Sequence, residues 1–304
     1  MPGTALKTAQ AQVEEIIGAV DGSMGVAAWP VGDESQSIKV NADVLYPTAS
    51  TFKIPILYSL YRMADRGEVD LDQRIEITDA HRVPGSGVLQ HLKVGIKPTI
   101  YDLAMLMTIV SDNEATDILH AMVGVERLHA DLDELGLSRI RVPLPCRELL
   151  YTMVGMDVNN PEHTYEMFRE RARAGQYDEN GLAFQDEEGC GNDLTPPDQM
   201  ARLCEYIHQG IGLSAESREG VVDTMKRQTL NARIPAGVPE GVEIAHKTGS
   251  LRGVRNDAGI VYAEQPYVIA IFSKQLKDER AGEAAMVEVS RAIWQAFGDP
   301  EMLG

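Results

Sequence analysis

Ser50-Thr51-Phe52-Lys53, Ser111-Asp112-Asn113 and Lys247-Thr248-Gly249-Ser250 follow one another along the chain, and their settings decide how it is read. The first string ends the loop Tyr46-Pro47-Thr48-Ala49 and opens an apolar helical run through Ile54, Leu57, Tyr58 and Tyr61. Pro55 fits there because it falls in the first turn, where a missing N–H costs little. The second string lies between an apolar helix over residues 103–110 and another beginning near Glu114, and the third closes a strand-like run over 242–247. One helix start, one helix junction and one strand end thus carry hydroxyls and lysines in turn.

Outward from these strings, strand-like runs gather at both ends of the chain, at residues 24–30, 35–40, 242–247, 257–263 and 266–274. Residues 259–263 and 267–274 read as a hairpin through Glu264-Gln265-Pro266. A closing helix over 280–297 places Met286, Val289, Ile293 and Phe297 at helical spacing. An amphipathic helix with Val13, Ile16, Ile17 and Val20 on one side opens the chain. Between the ends, helical periodicity recurs at 101–110, 114–123 and 197–208, while 146–193 reads as extended loops. The expected fold class is α/β of the α+β kind: an antiparallel sheet from both chain ends flanked by helices, plus a helical lobe. Residues 1–64 and 226–304 are expected to form the sheet lobe, and 65–225 the helical lobe.

Composition narrows the function. The 304 residues carry a formal net charge of −18, which argues against nucleic acid and acidic lipid, since phosphate tracking needs clustered Lys and Arg. Cys146, Cys190 and Cys204 have no C-x-x-C spacing and no matching histidines, so free thiols are expected, with neither metal nor cofactor. The first 20 residues lack the uninterrupted apolar core of a secretion signal, and no stretch reaches the roughly 20 apolar residues of a membrane span. A cytoplasmic protein acting on a small molecule, without a membrane partner, is the expectation.

The chemistry follows from residue types and spacing. Ser50 at a helix start can act as a nucleophile, with free backbone N–H groups near a forming oxyanion. Lys53, at i+3, reaches along the same face; acting as a base near neutral pH would require its pKa to drop from ~10.4, a bias of roughly 4 kcal/mol. Burial would push that way and a second cation, Lys247, would push further. Ser111 can relay a proton toward a leaving group, although Ser111 with Glu114 also reads as a capping box without chemistry. Asn113 offers an amide to bridge lobes or substrate. Lys247 and Thr248 can hold a carboxylate, the Ser250 N–H can complete an oxyanion pair with that of Ser50, and Arg255 can reinforce the anion site. His246 reads as a packed or hydrogen-bonded residue.

Taken together and in order, the strings make the chain resemble the class A serine β-lactamases and the related penicillin-binding proteins. The resemblance implies Ser50 as the acylated residue, Lys53 beside it, Ser111 and Asn113 as the middle pair, and Lys247 with Thr248 as the anion anchor. It also implies that Pro84-Gly85-Ser86-Gly87 borders the site. One departure stands out. Class A enzymes hydrolyse the acyl-enzyme with a glutamate followed shortly by an asparagine, in a loop after the middle motif, and no E-x-E-L-N string occurs here; Glu148, Glu162, Glu166 and Glu179 are all available, and spacing does not choose between them. The expected activity is a serine hydrolase opening an amide or ester through a Ser50 acyl-enzyme, β-lactamase-like. An esterase, amidase or peptidase on the same scaffold, or a penicillin-binding sensor without turnover, are the alternatives.

Overall fold

The computed structural model describes residues 2–298. In chain order the elements are α1 (Pro2–Gly18), β1 (Ser23–Pro30), β2 (Ile38–Val40), β3 (Tyr46–Pro47), α2 (Lys53–Asp65), α3 (Ile100–Ile109), α4 (Asn113–Val123), α5 (Val125–Glu134), α6 (Cys146–Met153), α7 (Tyr165–Arg173), β4 (Leu194–Thr195), α8 (Pro197–Gln209), α9 (Ala215–Lys226), β5 (Ile244–Leu251), β6 (Val254–Val261), β7 (Tyr267–Lys274) and α10 (Glu279–Phe297). Two units divide them, one of residues 1–51 and 195–304, the other of residues 52–194. The fold is the α/β arrangement expected, with an antiparallel sheet drawn from both chain ends.

In the first unit the strand order is β2-β1-β7-β6-β5. The central strand β7 reads Tyr267-Val268-Ile269-Ala270-Ile271-Phe272-Ser273 and is buried throughout. Alternation is lost because both faces of the sheet are covered, which favours a continuous apolar run. On one face Val13 and Ile17 of α1 and Met286, Val289, Ile293 and Phe297 of α10 pack against Val26, Ala28, Ile269 and Ile271. Each such side chain larger than alanine contributes about 1.5–3 kcal/mol on burial. α8, whose Met200, Leu203, Cys204 and Ile207 are buried, packs on β1, β6 and β7, and α9 packs on β5. Asp278 starts α10 by accepting the N–H groups of Arg280 and Ala281, and Gly210, at φ 75°, ends α8 in the left-handed conformation that glycine adopts most readily.

The second unit is built on α2, buried from Lys53 to Met63, which packs on α3, α4 and α5. Its Arg62 pairs with Asp131 at 3.0 Å and Glu134 at 2.7 Å.

Three boundaries differ from the sequence expectation. The division falls at 51/52 and 194/195 instead of 64/65 and 225/226, because the apolar face of α8 is spent on the sheet and that of α2 on helices. Residues 34–36 form a 3-10 turn before β2, since Asp33 captures the N–H and hydroxyl of Ser35 and bends the chain. Within 146–193 two helices stand where loops were expected; Tyr151 and Phe168, stacked at 5.6 Å, join Val154 and Met156 in a small satellite core. Among the described residues no helix is long and apolar enough to cross a membrane, and no cluster of His, Cys, Asp and Glu is arranged to hold a metal ion.

Candidate active site

Ser50, half-buried, sits in the 3-10 turn Ala49–Phe52 that leads directly into α2. It is therefore one turn earlier than an α-helix start. The turn is held from below by the first unit. The Asn256 side-chain amide on β6 donates to Pro47 O at 2.8 Å and Thr48 O at 3.0 Å, while its Oδ1 accepts Ser273 N–H at 2.9 Å. Thr51 closes the turn with its hydroxyl on Thr48 O at 2.7 Å. Ala49 adopts φ 44°, a conformation that costs a residue with a Cβ on the order of 1 kcal/mol.

β5 runs against the same turn. Gly249 pairs with Asn256 in the sheet register, and a Cβ at 249 would stand 2.8 Å from Thr48 O and 2.9 Å from Ser50 N. Only glycine lets the strand lie this close. Lys247 is two residues from Gly249, so it shares that face of the strand. Lys247 is fully buried and its Nζ donates to Thr248 O at 2.8 Å; Thr248 is buried as well, and Ser250 is exposed. His246 is packed, as expected, between Asp257 Oδ1 at 2.9 Å and Asn231 Oδ1 at 3.1 Å. Arg255 spends its guanidinium on Leu251 O, Val254 O, Glu279 and Glu283.

In the second unit Lys53 is buried at the start of α2. Its Nζ donates to Ser111 O at 2.9 Å, Ser111 Oγ at 3.0 Å and Asn113 Oδ1 at 2.9 Å. Those three acceptors match the three N–H bonds of an ammonium. Burial nevertheless pushes the Lys53 pKa down from its ordinary range, and Cys146, Asp117 and Asp112 oppose the shift. Asn113 Oδ1 also accepts from Cys146 Sγ at 3.4 Å and Ser86 Oγ at 3.3 Å, while its Nδ2 donates to Pro84 O at 2.9 Å. Cys146 is held there because Asp117 accepts the N–H groups of Cys146 at 2.6 Å and Arg147 at 3.0 Å. Burial drives the Asp117 carboxyl up to about 6 and pushes the Cys146 thiol far above its ordinary range.

The capping-box reading of Ser111 with Glu114 is corrected by the structure. Ser111 lies outside α4 at φ 55°, and Asp112 is the cap, with Oδ1 on Ala115 N at 3.0 Å. Its other oxygen accepts Val88 N at 2.6 Å and Leu89 N at 2.8 Å, which ties the Pro84-Gly85-Ser86-Gly87 loop to the tripeptide. Glu114 instead faces Arg82 at 3.3 Å. Of the four glutamates, Glu162, Glu166 and Glu179 are exposed, and Glu148 is half-buried in the first turn of α6.

Sequence reading missed Cys146, Asp117, Asn256 and Arg233. The register signal for Asn256 was present, since it stands opposite Gly249, but pairing between β5 and β6 was needed to see it.

The fold these elements make is that of a β-lactamase-like serine hydrolase. The profile of the Beta-lactamase enzyme family matches residues 8–297, and the chain belongs to that family. It is 27% identical over 301 residues to a beta-lactamase of Bacillus licheniformis, covering 97% of this chain and 84% of that protein. Among solved structures it is similar to the beta-lactamase of Sphaerobacter thermophilus DSM 20745, with 29% identity and a TM-score of 0.75 over 96% of this chain and 97% of that one. PBP-A is similar too, with 28% identity and a TM-score of 0.76 over 95% of each chain, and a PBP-A mutant is known as an acyl-enzyme complex with penicillin G.

Proposed function

We propose that the protein opens a small cyclic amide of the β-lactam class by acylating Ser50. The Ser50 oxygen attacks the carbonyl carbon, the C–N bond breaks, and an ester to Ser50 remains with the amine freed. Neutral Lys53, one turn further along the chain, takes the Ser50 proton. The Ser111 hydroxyl, bonded to Lys53 at 3.0 Å, gives its proton to the leaving nitrogen and takes in return the one Lys53 received, so that the hydroxyl is restored and Lys53 is neutral again. Asn113 presents the second N–H of its amide to the substrate, since Oδ1 is engaged. Lys247 and Thr248 hold an anionic group of the substrate, and the backbone N–H groups of Ser50 and Ser250 receive the developing oxyanion.

The observation that carries this reading is the bond from Lys53 Nζ to Ser111 Oγ at 3.0 Å in a buried setting. It joins the lysine nearest the nucleophile in sequence to the only hydroxyl of the middle string. Intact mass after incubation with a penicillin tests it: a single added penicillin mass in the native chain, absent from Ser50→Ala, is expected. No adduct in the native chain, or an equal adduct in the variant, removes Ser50 from the role.

A second reading concerns the fate of the ester. The group that touches Asn113 from α6 is a thiol held neutral by burial, which cannot serve as a base toward water. This supports slow hydrolysis and a long-lived adduct, as in a penicillin-binding sensor. Adduct decay over hours after excess drug is removed favours that reading; decay within seconds favours efficient turnover.

A further inference from the structure

The turn that borders the middle string is held by a side chain that the acylation chemistry leaves unused. Gly85 and Gly87 stand at φ 101° and 113°, and glycine gives up more conformational freedom than any other residue when it is ordered. A Cβ at 85 would lie 2.6 Å from Asn113 Nδ2, and one at 87 would lie 2.4 Å from the Asp112 carboxyl carbon, so the turn rests directly on the tripeptide. Between the glycines, Ser86 Oγ donates to Ser111 O at 2.7 Å and lies 3.3 Å from Asn113 Oδ1, while Ser86 O accepts Asn113 N–H at 3.1 Å. Gln90 holds the turn from its other side. Its Nε2 donates to Gly85 O at 2.5 Å and Gly87 O at 3.3 Å, one N–H for each carbonyl on either side of Ser86.

The Gln90 amide is itself oriented from α7. Its Oε1 accepts the Tyr165 hydroxyl at 3.4 Å, and Arg169, one turn along, lies over the Tyr165 ring at 5.8 Å. Met167 and Phe168, next in the helix, enter the satellite core together with Leu150 of α6. Leu150 also stands 3.2 Å from where a Cβ at 85 would be. The satellite core therefore meets the turn twice, at Gly85 and through Gln90. What the turn sets is Asn113: Pro84 O takes one N–H of its Nδ2 at 2.9 Å, and the planar amide then fixes where the second N–H points. We infer that Gln90, oriented by Tyr165, is a positioning residue for Asn113: by holding the carbonyls of Gly85 and Gly87 it fixes the N–H that Asn113 offers to the acylamino carbonyl of a substrate. The inference rests on the proposed reading only in taking Asn113 to face the substrate.

The test measures equilibrium binding by calorimetry in the Ser50→Ala background, where no chemistry intervenes, with benzylpenicillin and 6-aminopenicillanic acid as probes. The second probe lacks the acyl group, so it has no carbonyl for the Asn113 N–H. Adding Gln90→Ala should lower the preference for benzylpenicillin by roughly threefold to tenfold, the worth of one hydrogen bond, with binding of 6-aminopenicillanic acid unchanged. Gln90→Glu is of nearly the same shape but its carboxylate only accepts, so it should lose at least as much. Tyr165→Phe should shift the preference the same way by roughly twofold, since it removes only the bond that orients Gln90. Gln185→Ala removes a glutamine that holds Asn180 O at 3.2 Å, away from the turn, and should leave the preference unchanged. Intact mass follows acylation of the native chain by benzylpenicillin in parallel.

An unchanged preference in the Gln90 variants or in Tyr165→Phe, equal losses for both probes, the same shift in Gln185→Ala, or no binding of either probe overturns the inference. A native chain that is never acylated, with the shift in binding preference intact, overturns the acyl-enzyme reading alone.

Discussion

Gly249 and Ser50 are neighbours through their backbones, with the position of a Cβ at 249 only 2.9 Å from Ser50 N. The strand that bears Lys247 and Thr248 and the turn that bears Ser50 are thus set against each other by the absence of one carbon. The same carbon would lie 2.8 Å from Thr48 O, so the clash is with backbone on both sides and a side-chain rotation cannot relieve it. Gly249→Ala should slow acylation of Ser50 by on the order of 10²-fold, the cost of displacing reacting groups by about 1 Å. Stopped-flow acylation by a chromogenic cephalosporin measures this, with circular dichroism to establish folding. A folded alanine variant with native acylation would show that the close approach does not matter.

Lys53 gives a prediction in which the charge and the proton can be told apart. Burial holds its pKa below the ordinary lysine range, so acylation should rise with pH through a midpoint below about 10.5. Lys53→Arg keeps a cation but has no accessible neutral form. If the lysine is the base, the arginine variant should lose about 10²- to 10⁴-fold in acylation rate at neutral pH. A loss under tenfold would mean that its positive charge is what the reaction uses.

Asn256 shows why part of the site was legible in the sequence and part was not. The apolar run of β7 and the apolar spacing of α10 are local patterns, and each formed where its residues predict; Lys247 to Ser250, read as the end of a strand, lie within β5 instead, because the pairing with β6 carries the strand on to Leu251. Asn256 acts on Thr48 O from 208 residues away, so no window along the chain contains both partners. Arg233 is hidden in the same way, since its partners on β5, β6 and α10 are joined only by the fold. Ser111 misled for a different reason. Two adjacent residues, Ser111 and Asp112, are both good caps, and only the observed φ of 55° at Ser111 shows that the aspartate won. Likewise the roles of α2 and α8 at the unit boundaries depended on which partner their apolar faces met, and periodicity is silent on that.

Asp117 should make stability depend on pH in a direction opposite to that of the usual carboxylate. Burial raises its folded-state pKa to about 6 from an ordinary 3.8, so between those values the folded chain binds more protons than the unfolded one. The associated stability is present at low pH and is lost as pH rises through about 6, to a total of about 3 kcal/mol. His120, His129 and His208, lowered by burial, slope the other way and would mask the effect in the native chain alone. They cancel in a comparison with Asp117→Asn. That variant loses one of the two backbone bonds to Cys146 and Arg147 at every pH, but it removes the buried charge. Its melting temperature should therefore gain on that of the native chain between pH 4.5 and 7.5. Parallel curves would mean that Asp117 does not titrate in this range.

Cys146 offers the sharpest test of what happens after acylation. Its sulfur touches Asn113 Oδ1, the oxygen that also accepts from Lys53, so a side chain at this position reaches the hydrogen-bonded group around the lysine. As a thiol pushed far above its ordinary pKa it stays protonated and removes no proton from water. A carboxylate placed there would face the Lys53 ammonium and would be able to take that proton. Cys146→Glu should accordingly hasten loss of a penicillin adduct by on the order of 10²-fold, the low end of what a positioned general base supplies. The rate of adduct formation should fall at neutral pH, because a carboxylate beside Lys53 favours its ammonium form and leaves less of the neutral base. Buried unpaired charge is costly, so Cys146→Gln, of nearly the same shape without a base, controls for altered packing. Time-resolved intact mass follows both steps in one experiment. Equal adduct lifetimes in the glutamate and glutamine variants would place the limit on hydrolysis somewhere other than position 146.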